Sequence, residues 1–96
     1  MSEVILTVED VFQVDNRGSV VTGVIGNAWK NAKVGDAIVL CIPTGTRLAT
    51  AIKKIELFRP PIWKETSDNG ALLLTDLIDS DQAPRGTRIL PYENVA

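Results

Sequence analysis

The side chains able to do chemistry in this sequence are few, and their types narrow what that chemistry is. There is no histidine, which removes Ser-His-Asp triads, Cys-His dyads and nearly all zinc enzymes. The single cysteine, Cys41, has no internal disulfide partner and sits in an apolar run, so it reads as an inert buried thiol. No Gly-x-x-x-x-Gly-Lys-Ser/Thr segment is present to cradle a nucleotide triphosphate. Glu9, Asp10 and Glu56 are the only candidates for general acid–base work, and nothing beside them indicates a substrate. The expectation is a protein that binds rather than reacts, with no catalytic residue, cofactor or metal.

Composition bounds the partner. The chain of 96 residues has room for one domain, spanning 1–96. Hydrophobic residues make up 45 % and charged residues 23 %, which fits a globular chain and not a disordered one. Ten Lys and Arg against twelve Asp and Glu leave a net charge of −2. Such a chain is a poor general binder of nucleic acid, because that affinity comes mainly from neutralising phosphates. Any RNA contact must be local and shaped. No apolar stretch reaches the length of a membrane span. Met1-Ser2-Glu3 lacks a basic n-region, so a cytoplasmic location is expected.

The elements that would position these residues are strands. Turn signals recur at Asp15-Asn16-Arg17-Gly18, Gly26-Asn27, Val34-Gly35-Asp36, Pro43-Thr44-Gly45, Pro60-Pro61, Asp68-Asn69-Gly70 and Pro84-Arg85-Gly86. Short runs rich in Val, Ile, Leu and Thr lie between them. The spacing predicts strands over about 3–14, 18–25, 36–42, 47–58, 70–77 and 86–91, in an all-β barrel or sandwich. In the first strand the odd positions, such as Glu3, Thr7, Glu9 and Gln13, are mostly polar, and the even ones, Val4, Leu6, Val8, Phe12 and Val14, mostly apolar. Asp10 falls among them, and a lone carboxylate in a core costs several kcal/mol unless paired. Either a bulge turns Asp10 outward, or this end of the face is a surface pocket. Lys53-Lys54 in mid-strand marks a bulge or an exposed stretch.

Two blocks carry a resemblance. The run Val8-Glu9-Asp10-Val11-Phe12-Gln13-Val14, followed by Arg17-Gly18-Ser19-Val20-Val21-Thr22-Gly23, resembles the opening hairpin of the second domain of elongation factor Tu and related translational GTPases. Lys33-Val34-Gly35-Asp36, Ile55-Glu56-Leu57-Phe58-Arg59, Asp68-Asn69 with Leu72-Leu73-Leu74, and Arg85-Gly86-Thr87-Arg88-Ile89-Leu90 follow in family order. The resemblance covers about 4–91 and implies a closed six-stranded antiparallel Greek-key β-barrel, here as a stand-alone chain without the GTPase domain. The chain departs from the pattern in a longer turn at Gly26 to Ala32, in Asn16, in Thr75-Asp76 and in Pro60-Pro61.

In that family the barrel holds the aminoacylated 3′ end of transfer RNA. Carried over by position, Val14, Val20 and Leu73 would wall a terminal-adenosine pocket, and Glu56 would contact the terminal nucleoside. Glu9, Asp10, Phe12, Thr22, Arg59 and Asn69 would surround the aminoacyl group. Apolar walls suit a splayed base, and a carboxylate can accept from a ribose hydroxyl. Parity agrees within each strand: Asp10, Phe12 and Val14 are even, as are Val20 and Thr22, while Asn69 and Leu73 are odd. The implied partner is a tRNA 3′ end or a ribosomal site. The alternative is a protein-interaction or self-associating module with a relic pocket. Trp29 and Trp63 would then be interface anchors; otherwise they are lids over the core.

Overall fold

A computed structural model describes residues 3–14, 17–58 and 69–92. Six strands form: β1 (Leu6–Val14), β2 (Gly18–Ile25), β3 (Ala37–Cys41), β4 (Arg47–Phe58), β5 (Asn69–Leu74) and β6 (Arg88–Pro91), with one 3-10 turn at Trp29–Asn31. Every pairing is antiparallel. The order β1-β2-β5-β4-β3-β6 closes on itself where β6 pairs β1. Closure leaves no sheet edge across the ring and turns one face of every strand inward. Among the described residues no helix is long and apolar enough to cross a membrane.

Leu6, Val8, Val21, Ile38, Leu40, Ile52, Leu72, Leu74 and Ile89 fill the interior. Burying such a side chain contributes about 1.5–3 kcal/mol, so this set holds the ring shut. β3 is buried on both faces only at its centre: Ile38 and Leu40 join the core and Val39, opposite Leu90, is buried as well, while Ala37 is exposed. Cys41, two positions beyond Val39, is half-buried rather than buried. It ends β3 between Arg47 and Arg88, on the face away from the core.

Two bulges decide which side chains face out. The β1–β2 register shifts between Val8 and Asp10. Before it, Leu6 and Val8 point inward; after it, Val11 packs on the core while Asp10 and Phe12 turn to solvent. Of the two readings of Asp10, the bulge is realised. The β4–β5 register shifts between Ile52 and Lys54. Ile52 and Ile55 keep the inner face, and Lys53 and Lys54 are both exposed.

The strand expected over 70–77 stops at Leu74. Its continuation drops across the end of the ring, where Ile78, Ala83 and Thr87 are buried. Ser19, fully buried on β2, ties that segment down. Its hydroxyl lies 3.0 Å from the Asp76 carbonyl and 2.9 Å from that of Ile78, and it accepts from the Ile78 N–H. Trp29 is half-buried against the core. Its ring takes the space a side chain at Gly70 would fill, since a Cβ there would stand 2.4 Å from Cη2. That contact makes it a lid on the ring. Trp63 lies outside the described residues.

The β1 bulge needs Gly23 opposite it. A Cβ at position 23 would lie 1.8 Å from the Thr7 carbonyl oxygen and 3.1 Å from the Glu9 nitrogen. Backbone cannot yield as a side chain can. Gly23→Ala is therefore expected to cost about 3 kcal/mol or more, read from the urea midpoint. An unchanged midpoint would show that the bulge tolerates a side chain at this position.

Candidate functional site

The outward face of β1, β2, β5 and β4 carries the expected residues in two rows. Paired residues on adjacent strands project to the same side. One row runs Phe12, Val20, Leu73 and Lys54; the next runs Asp10, Thr22, Ala71 and Glu56. Val14 opposite Gly18 lies one step beyond the first row. Asn69, opposite Val24, lies one step beyond the second. The parity argument thus becomes a shared surface across four strands.

A cleft of about 320 Å3 opens on this face, lined by Val14, Arg17, Val20, Lys54, Glu56, Ala71 and Leu73. Four of its walls, Val14, Val20, Glu56 and Leu73, are among the residues singled out by the resemblance. Ala71 lies between Thr22 and Glu56 in its row and adds no bulk to the floor. Phe12 is 56 % exposed beside Val20. Phe12, Asp10 and Thr22 share the face without lining the cleft. Glu9 does not join the others: at the bulge its carboxylate lies 3.5 Å from the Arg85 guanidinium. Arg59 lies outside the described residues.

Arg17, Lys54 and Ala71 belong to the cleft and are absent from the sequence-based set. Ala71 was within reach, because it shares the odd parity of Asn69 and Leu73. Lys54 was not, because its direction depends on the bulge.

Charge is ordered along the strands. Arg17 lies at the β1–β2 turn, where Lys53 Nζ donates to its carbonyl at 2.9 Å. Val14 comes next, followed by the row of Val20, Leu73 and Lys54. Glu56 and Asp10 stand in the next row, with Lys54 Nζ and Glu56 Oε1 3.1 Å apart. Lys54 and Glu56 are well exposed, so this ion pair is worth under about 1 kcal/mol and is easily exchanged for a ligand. Among the described residues no group of three or more His, Cys, Asp or Glu side chains could hold a metal.

A larger opening of about 520 Å3 lies beside the 3-10 turn. Among the described residues its charged lining is Glu3 and Asp36, both acidic, which disfavours an anionic ligand. No family model matches the chain.

If Phe12 and Val20 serve a site and not the core, truncating them leaves the fold almost intact. Phe12→Ala and Val20→Ala are each expected to change stability by less than about 1 kcal/mol, against about 2–5 kcal/mol for the buried Leu72→Ala. Thermal unfolding of the three variants checks this. Comparable losses in all three would place Phe12 and Val20 in the core.

Proposed function

We propose that this chain is a binding module for an RNA 3′ end, of the kind a tRNA CCA terminus presents, built on a Greek-key barrel of the translation-factor second-domain type. The observation that carries the reading is the charge-ordered apolar cleft. A terminal nucleotide is anionic on its phosphate side, flat and apolar in its base, and rich in hydroxyl donors at its ribose. A cation at the turn, apolar walls with a lysine among them, and a carboxylate succeed one another in the same order. An aminoacyl group adds an α-ammonium, for which Asp10, in the row of Glu56, is a suitable acceptor.

The fold type has its own support. The six strands close with β2 beside β5 and β3 beside β6, so two connections cross the end of the ring instead of joining neighbours. The resembling blocks fall on β1, β2, the approach to β3, and β4 to β6. Binding and not catalysis is the reading for the carboxylates, since Glu56 and Glu9 are each solvated and paired with a cation. A single barrel grips one nucleotide and its neighbours, so affinity is expected in the micromolar range or weaker.

Amide chemical shifts followed during titration with an aminoacyl-minihelix RNA test this. Phe12, Val20, Glu56 and Leu73 are expected to move, and the uncharged minihelix to shift the Asp10 and Thr22 signals less. No change at millimolar RNA would end the proposal.

A further inference from the structure

The bulge in β4 places two lysines where regular alternation would expose one. Lys53 reaches the Arg17 carbonyl at 2.9 Å, which holds its ammonium beside the rim that Arg17 lines. Lys54 lines the cleft itself and meets Glu56 at 3.1 Å. Arg17 is exposed, and its guanidinium has no ion-pair partner among the described residues. Arg17 and Lys54 thus line an apolar cleft with Lys53 beside them, and Glu56 stands one row further from the β1–β2 turn than Lys54.

We infer that this rim is a phosphate clamp, selecting a nucleoside 5′-phosphate whose base lies on Val14, Val20 and Leu73 and whose ribose hydroxyls face Glu56. The inference rests on the nucleotide reading above and adds a ligand polarity to it. Ammonium and guanidinium groups make charge-assisted hydrogen bonds to phosphate oxygens. Lys54 can share its three donors between Glu56 and the phosphate, so neither anion is left unpaired when the cleft fills. A 3′-phosphate in the same pose would point at Glu56 and be repelled. The clamp also reconciles a net charge of −2 with RNA binding, since three of the ten Lys and Arg gather where a phosphate would sit.

The test compares adenosine, 5′-AMP and 3′-AMP by titration at low salt. At the wild-type protein, 5′-AMP is expected to bind about tenfold tighter than adenosine or 3′-AMP. In the Lys53→Ala, Lys54→Ala double variant, all three should bind within about twofold of one another. Lys30→Ala removes a cation outside the cleft and should keep the wild-type ratio. Equal binding of adenosine and 5′-AMP would overturn the clamp and leave the nucleotide site standing. Equal binding of 5′-AMP and 3′-AMP would overturn the polarity and the clamp with it. If none of the three binds, the nucleotide site falls too.

Discussion

The surface described here depends on one irregularity, the β1 bulge between Val8 and Asp10. A strand alternates its side chains strictly, so a one-residue slip moves every later side chain to the opposite face. Without the slip, Asp10 would enter the interior and Val11 would leave it. With it, the first half of β1 seals the ring through Leu6 and Val8, and the second half offers Phe12 and Val14 to solvent. The β4 bulge does the same for Lys54 and Glu56 opposite. The two slips make one sheet both the wall of a core and the floor of a cleft.

Such a surface has a cost, and the structure shows where it is met. Exposed apolar residues are not compensated by burial. The interior must carry the stability alone, and it is closed at its ends by side chains brought from outside the strands. Trp29 covers Gly70, and Ser19 anchors the segment through Ile78. Neither group touches the cleft. The core and the cleft thus lie on opposite faces of the same strands, which lets the outer face vary without loss of the fold.

Much of this is legible in the sequence. Dense turn residues and β-branched runs mark all six strands, and the misplaced Asp10 marks the bulge without deciding it. Parity within β1, β2 and β5 groups Val14, Val20 and Leu73, three of the seven lining residues. What escapes is what depends on contacts between distant segments. The buried Ile78 is held by Ser19 from another strand, and local pattern cannot show it. Lys54 is hidden for a related reason: its direction follows from a register shift against β5, and no run of neighbouring residues encodes that. Glu9, at the bulge, meets Arg85, so the position that the resemblance implies is no guide to its direction here.

On the proposed reading, the cleft of Val14, Val20 and Leu73 receives the last base of an RNA strand. Isotope-filtered nuclear Overhauser contacts with a short oligoribonucleotide ending in CCA test this. Contacts are expected from the terminal adenine H2 and H8 protons to the methyl groups of Val14, Val20 and Leu73. Contacts confined to other bases, or falling instead on Ala32 and Tyr92 beside the larger opening, would contradict it.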